Sequence, residues 1–473
     1  MTTEPVQGSP ALSSTSTDAV SLETPQSEPL LPDVLPYIQH GFETIQVQAG
    51  YNAAEHNHAV SVPIYQTTAF DLGSAERADA LFGFESDDAL YTRMGNPTVA
   101  VLEQRVAALH AGAFAPAPTA IALASGMAAI TYALFNAAGR GGRILTNYRL
   151  YGGTVDAFTH IYPELGLGID LVEDADDLAA YEAAITADTR ALFVESVSNP
   201  LMAVADLEAL ADIAHAHGIV LIVDNTLATP YLLNPFEYGA DVVVYSATKA
   251  LSGHGNVIAG IVVESGTFDY ASDTYPQFSQ PLWFLRDGND VPRTILQIFS
   301  TNPFCGRILA VYLNYLGAAL SPFDAYLILQ GVETLSLRVK KQVANAQALV
   351  SWLEGDSRVA WVSYPTATES PYRDLAAKYL PRGAGSIVSF GFAGTEQQKR
   401  RFLDAVRLWG YQANIGDARS LIINPAETTH IELTPAARAA AGLRSETIRL
   451  SLGLEDSADL IADLAQALTQ AFA

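Results

Sequence analysis

The chain has 473 residues, 49% of them hydrophobic and 16% charged, and its formal net charge is −25. Those totals fit a globular protein of more than one domain with a sizeable core, and so acidic a surface argues against nucleic-acid and membrane partners. The single cysteine, Cys305, excludes an internal disulfide and a cysteine-based zinc site.

Residues 1–36 are rich in Ser, Thr, Pro and Glu without apolar periodicity, and are predicted to form a disordered tail. The first basic residue is Arg77, so neither a secretory nor a transit signal is expected and the predicted location is the cytoplasm. Residues 121–139, IALASGMAAITYALFNAAG, read as a short strand running into Ser125-Gly126-Met127 and then a helix. Strands are predicted at 143–148 and 169–173, with a helix after the second capped by Asp174 or Asp176. A strand at 189–196 is followed by a helix over 206–218, with Asp206 at its front and Gly218 as its stop. Further strands follow at 219–226 and 241–247. Strands apolar on both faces, alternating with helices, indicate a mostly parallel sheet covered by helices.

Residues 308–320 read as a packed helix. From about Ser321 one or two long helices are predicted, then short strands such as 386–392 and more helices, which describes a second, smaller α+β domain.

Ligands of open parallel sheets bind beyond the carboxyl ends of the strands. One strand here ends at Glu195, with Asn199 just after it. The next delivers Asp224, and the next delivers Ser246, Thr248 and Lys249. A solvated strand-end lysine is the plain reading of Lys249, but its neighbours argue against it. A desolvated lysine loses its proton more easily and can form a Schiff base with an aldehyde. Ser246 and Thr248 suit a phosphate, and Asp224 suits a protonated ring nitrogen. Together they describe the protein's side of a pyridoxal phosphate site. Ser125, Gly126 and Met127 add a helix N-terminus for the phosphate.

These residues resemble a known family, the Cys/Met-metabolism enzymes that use pyridoxal phosphate. The resemblance runs from about Gly41 to the C-terminus. It rests on YTRMGNPT, SGMAA, YGGT, ESVSNP, DNTLATP, SATK…GHG and IRLSLGLED, in that order. It implies an α/β fold of the type I pyridoxal-phosphate-dependent transferases (aspartate-aminotransferase-like). In that fold a large, mostly parallel sheet domain is joined to a smaller C-terminal α+β domain. The implied divisions are an arm over 37–97 touching a neighbouring subunit, a cofactor domain over 98–320 with an insertion at about 266–320, and a C-terminal domain over 321–473. Lys249 would be the Schiff-base lysine and Asp224 the partner of the pyridine nitrogen. Tyr151 would stack on the ring and assist proton transfer. Ser125, Gly126, Met127, Ser246 and Thr248 would hold the phosphate, joined by Tyr91 and Arg93 of a neighbouring subunit. Arg449 would clamp the substrate carboxylate with help from Asn199 and Ser420. The implied assembly is a homodimer or homotetramer, and no metal is implied.

Some positions depart from the family pattern. Asn424 and Glu427 stand in NPAETTH near the substrate-carboxylate region, Ala250 replaces an aromatic after the lysine, and HAGA stands at His110. The 266–320 insertion and the helix that follows it resemble the O-acetylhomoserine sulfhydrylase type, and Gly153 stands where methionine γ-lyases often have Cys. The resemblance therefore implies a γ-replacement, O-acetylhomoserine plus sulfide or a thiol giving homocysteine or methionine plus acetate. The alternatives are methionine or cystathionine γ-lyase, cystathionine γ-synthase and O-succinylhomoserine sulfhydrylase.

Other classes fit less well. GRGGRI fails the last position of a dinucleotide-binding turn. No P-loop and no G-x-S-x-G elbow occurs. His215 and His217, two apart on a helix, point to different faces and make a poor metal pair.

Overall fold

In a computed structural model that describes residues 40–86, 88–111, 117–287 and 290–473, the first strands assemble as the alternation predicts. β1 (Thr119–Leu123), β2 (Arg143–Asn147), β3 (Gly168–Val172), β4 (Thr189–Glu195), β5 (Val220–Asp224), β6 (Val242–Tyr245) and β7 (Gly260–Glu264) form one seven-stranded sheet in the order β1-β7-β6-β5-β4-β2-β3. Only β7 runs against its neighbours. Successive residues of a strand face opposite sides: Leu192 and Val194 enter one apolar core, Ala191 and Phe193 the other. Burial on both faces is why these strands read as unbroken apolar runs.

A second sheet holds β10 (Val359–Ser363), β11 (Ile387–Phe392), β12 (Gly410–Tyr411), β13 (Leu421–Ile423) and β14 (Thr447–Ser451), in the order β10-β11-β14-β13-β12. The change of texture at Ser321 is two helices, α1 (Pro322–Val332) and α2 (Leu335–Glu354). One continuous core still runs from β4, β5 and β6 through α2 to β11 and β14.

Two expectations need correction. The helix after β3, Leu178–Ala184, is capped by Asp177, whose carboxylate accepts from Ala179 and Ala180 N–H. Asp174 and Asp176 are instead drawn to Arg149. Residues 308–320 are not one regular helix: a π-turn over Ile308–Leu313 leads into Asn314–Leu316, and Gly317 ends it at φ +77°. The predicted tail, 1–36, and part of HAGA (Gly112 and Ala113) lie outside the described residues. His110 of that motif is buried, its ring bonded to Asn234 Oδ1 and the Tyr245 hydroxyl.

The 266–320 insertion touches both ends of the sheet: Tyr275 reaches the amino ends of β4 and β5, while Ala318 O accepts Ala124 N–H at the carboxyl end of β1. Its hairpin, β8 (Leu282–Arg286) and β9 (Pro292–Arg293), lies beyond the aromatic cluster of Tyr270, Tyr275, Phe278 and Phe304. The Tyr275 hydroxyl donates to Arg190 O (2.6 Å) and accepts from Val220 N–H (2.8 Å), at the amino ends of β4 and β5. Tyr275→Phe would leave a buried N–H without its acceptor, a loss worth about 1–3 kcal/mol. Urea unfolding is expected to show that loss while the pH dependence of activity stays unchanged.

Candidate active site

β6 leaves the sheet through a tight turn that carries the lysine. Ser246 N–H donates to Thr226 Oγ1 (2.8 Å), tying the exit of β6 to that of β5. Lys249 N–H returns to Ser246 O, and Ser252 N–H to Ala247 O. The Lys249 side chain turns inward, and its Nζ donates to Asn414 Oδ1 at 2.8 Å. Burial, followed by the nearby Arg449 guanidinium, lowers the pKa of this amine to about 8. An appreciable fraction is therefore neutral near neutral pH, the form that attacks an aldehyde.

Sequence reasoning missed Asn414. It sits between β12 and β13, 165 residues from the lysine, so no local pattern marks it. Its loop is pressed on the lysine turn: Gly416 has φ +70°, and a Cβ there would come 2.7 Å from Ala250 N. The small Ala250 is buried under this contact.

Two acids end adjacent strands. Glu195 and Asp224 are cross-strand partners in the β4–β5 ladder, and both are buried. Asp224 accepts from Thr226 N–H (2.9 Å), and burial raises its pKa to about 6. Burial and then Asp224 push Glu195 well above the usual carboxylate range. In one dry place each such group disfavours a negative charge on the other. A protonated ring nitrogen beside Asp224 would stabilise a charge there. Glu195 also organises its neighbours, accepting Tyr151 N–H (2.5 Å) and Asn199 N–H (3.1 Å).

Tyr151 opens the short helix Gly152–Asp156, and its side chain is partly exposed above the rim. A Cβ on Gly153 would lie 2.7 Å from the Tyr151 ring, so glycine there leaves the ring its place. Thr154 Oγ1 donates to Met127 Sδ (3.9 Å), which brings this helix against the start of Gly126–Ala138. Ser125 caps that helix by accepting Ala128 N–H. The first N–H groups of a helix have no intrahelical partner, so those of Gly126 and Met127 are suited to an anion. Gly126 is packed so closely that a Cβ would meet Ser246 Cβ at 2.7 Å. The Thr248 hydroxyl donates to Ala259 O (3.1 Å) and accepts Ala259 N–H (2.9 Å).

Arg449 lies on β14, fully buried. Its Nη1 donates to Asn199 Oδ1 (3.0 Å) and its Nη2 to Asn414 O (3.2 Å). Its Nε has no partner. Burial lowers its pKa to about 10, with Tyr151 opposing. A buried guanidinium held by two amides and facing no carboxylate is suited to a carboxylate ligand. Ser420 stands beside Glu455. Its hydroxyl donates to Glu455 Oε2 (2.7 Å) and accepts Gly453 N–H (2.8 Å), and Asn414 stands at the arginine. The family departures are absorbed elsewhere. Asn424 caps its own turn by accepting Ala426 N–H, and Glu427 pairs with Lys399 Nζ at 2.9 Å. His430, which sequence reasoning also passed over, packs under Gly152, and burial and then Arg449 lower its pKa to about 4, so it is neutral.

Within one chain Tyr91 and Arg93 do not join this group. The Arg93 guanidinium lies 5.0 Å from the Tyr91 ring centroid. Arg93 also lines a cavity of about 120 Å³ with Glu103, Thr119 and Cys305. Thr119 pairs with Glu264, at the end of the sheet opposite the lysine. Cys305 is buried, with its thiol pushed up by burial and Glu264. Among the described residues no cluster of metal-ligating side chains occurs.

The arrangement fits pyridoxal phosphate. Lys249 would take the aldehyde, Asp224 the ring nitrogen, and Ser125, Gly126, Met127 and Ser246 the phosphate. The unpartnered Arg449 Nε is the polar atom left for a substrate carboxylate.

A family model described as Cys/Met metabolism PLP-dependent enzyme matches residues 43–469. A homocysteine synthase from Schizosaccharomyces pombe is 39% identical over 439 residues, covering 92% of this chain and 99% of that protein. An O-acetyl-L-homoserine sulfhydrylase 1 from Thermus thermophilus is 40% identical over 428 residues, covering 90% and 99%. Among solved structures, a putative O-acetylhomoserine (thiol)-lyase from Campylobacter jejuni carries pyridoxyl-lysine monophosphate. It superposes with a TM-score of 0.85 at 38% identity, over 91% of this chain and 100% of that one. A cystathionine γ-lyase from Lactobacillus plantarum gives 0.76 at 30% identity, over 92% and 100%.

Asn414→Asp would place an anion against the Lys249 amine and raise its pKa by about one to three units. Amine labelling of Lys249 in the cofactor-free protein, read by peptide mass, is expected to show its midpoint move up from about 8. Turnover is expected to fall about tenfold at pH 7.5 and to recover in more alkaline buffer.

Proposed function

The chain belongs to the Cys/Met metabolism PLP-dependent enzymes, and we propose that it catalyses a γ-replacement in which O-acetyl-L-homoserine and sulfide give L-homocysteine and acetate. It is an enzyme of the type I fold, and its cofactor is pyridoxal 5′-phosphate. The observation that carries the reaction is the better superposition on the thiol-lyase (0.85) than on the cystathionine γ-lyase (0.76), with complete coverage of both. Identity to sulfhydrylases over nine-tenths of the chain supports the same reading.

When bound, the cofactor supplies an electron sink for carbanions at Cα and Cβ of the amino acid. The chain does the rest. Arg449 holds the substrate carboxylate, with Asn199 and the Asn414 carbonyl fixing the plane of the guanidinium. That anchor sets which bond at Cα faces Lys249. With its pKa near 8, Lys249 can take the Cα proton and return a proton after sulfur has added. Tyr151 covers one face of the site and is the second proton-handling group. Burial pushes both Asp224 and Glu195 up, and a protonated ring nitrogen beside Asp224 would favour its charged form.

Tyr91 and Arg93 serve the site of a neighbouring subunit in this reading, so the active species is a homodimer or homotetramer, working in the cytoplasm. Arg93 stands outside the group around Lys249, against Gly317, with its buried Nε unpartnered, and this supports the reading. Among the described residues no helix is long and apolar enough to cross a membrane.

The purified enzyme with O-acetylhomoserine and sulfide is expected to release acetate and homocysteine in equal amounts. Ammonia and 2-oxobutyrate as the main products, with sulfide present, would favour a γ-lyase. Lys249→Ala is expected to abolish turnover. Arg93→Ala and Lys249→Ala, each inactive alone, are expected to regain partial activity after subunit exchange. Continued inactivity of the mixture would place Arg93 outside the partner's site.

A further inference from the structure

The turn that presents Lys249 ends in carbonyls that need partners. Lys249 O receives Gly253 N–H. The next two carbonyls are taken by a side chain from α2: Arg338 Nη1 donates to Ala250 O (2.8 Å) and Nη2 to Leu251 O (3.4 Å). The same Nη2 donates to Gly331 O (2.6 Å) at the end of α1, and Nε to Thr334 Oγ1 (3.2 Å). Arg338 is therefore a buried cation whose hydrogen-bond partners are three carbonyls and a hydroxyl. Burial alone lowers its pKa to about 10, and no carboxylate offsets it.

Burying an unpaired guanidinium is unfavourable, and two glycines are fitted around this one. A Cβ on Gly253 would come 2.0 Å from Arg338 Nη1, and Gly253 sits at φ +73°. A Cβ on Gly331 would come 2.2 Å from Ser252 O. The lysine turn and the end of α1 are thus drawn together at backbone contact with the planar fork between them. A lysine at 338 has one compact ammonium and cannot span the same carbonyls.

We propose that Arg338 is a positioning residue for Lys249, clamping the Ala250 and Leu251 carbonyls to the α1–α2 elbow so that the amine is presented at the rim rather than to solvent. This rests on the reading of Lys249 as the reactive amine. Arg338 touches neither substrate nor cofactor in this scheme. It acts through the turn, from below, while the Asn414 loop holds the same turn from above.

The test uses the cofactor-free protein first. Lys249 labelling by an amine reagent is followed against pH by peptide mass, with the surface residues Lys340 and Lys378 as references. Arg338→Lys and Arg338→Ala are expected to move the Lys249 midpoint up from about 8 toward that of an ordinary lysine, so that its labelling at pH 8 falls at least about fivefold relative to those references. In the holoenzyme kcat is expected to fall at least about twentyfold, with KM for the amino acid changed less than about threefold. Millimolar guanidinium is expected to restore part of the loss in Arg338→Ala and none in Arg338→Lys. Thr334→Val removes the Nε partner and the hydroxyl's own bond to Gly331 O (3.3 Å) at an exposed position, so it tests the clamp even where the Arg338 variants fail to fold. It is expected to shift labelling in the same direction at least about twofold. Wild-type labelling and kcat in any folded Arg338 variant, or in Thr334→Val, would overturn the proposal. A wild-type protein in which Lys249 titrates like Lys340 would overturn the reading of the site itself, a separate outcome.

Discussion

Charge held in a dry place by neutral partners is the constraint on which this site depends. The rim contains two cations, Lys249 and Arg449, and two acids, Asp224 and Glu195, all shifted by burial. The cations bond to amides: Lys249 to the Asn414 carboxamide, Arg449 to the Asn199 side chain and the Asn414 main chain. The acids bond to main-chain N–H groups. Had each cation been paired with an acid, the charges would have cancelled before any ligand arrived. Amide partners orient the charges and leave them for a ligand that brings its own carboxylate and its own ring cation.

The fold produces that arrangement from two directions. Parallel strands stop in register, so Glu195, Asp224 and the lysine turn share one edge. The second sheet then supplies what the first cannot: Arg449 from β14, and Asn414 from the loop between β12 and β13. Glycines set the spacing where these layers meet, Gly416 against Ala250 and Gly126 against Ser246. The insertion reaches both ends of the strands, through Tyr275 at the amino ends of β4 and β5 and through Ala318 at Ala124.

What the sequence disclosed follows from the range of each interaction. The strands were legible because burial on both faces leaves continuous apolar runs, and Lys249 and Asp224 because they sit one or two steps beyond such runs. Choices between near-equivalent residues were not. Asp177 outcompetes Asp174 and Asp176 as a cap because Arg149, from the β2 edge, draws the other two away. Thr248 looks like Ser246 until Ala259 is seen to occupy its hydroxyl from both sides. Ser420 looks free until Glu455 is placed beside it, and Asn414 has no signal at all, because its partner lies 165 residues away.

The departures from the family pattern carry a related argument about specificity. Glu427 would be an anomaly beside a substrate carboxylate, yet it faces Lys399, whose buried side chain requires an acid. Its charge is neutralised within the C-terminal layer and never reaches Arg449. Asn424 likewise closes its own turn. Neither residue is a hydrogen-bond partner of Arg449, which Asn199 and Asn414 hold. Gly153, the position where methionine γ-lyases often have Cys, lies against the Tyr151 ring. Any side chain there must share space with Tyr151, so the residue at 153 sets how flat the tyrosine can lie.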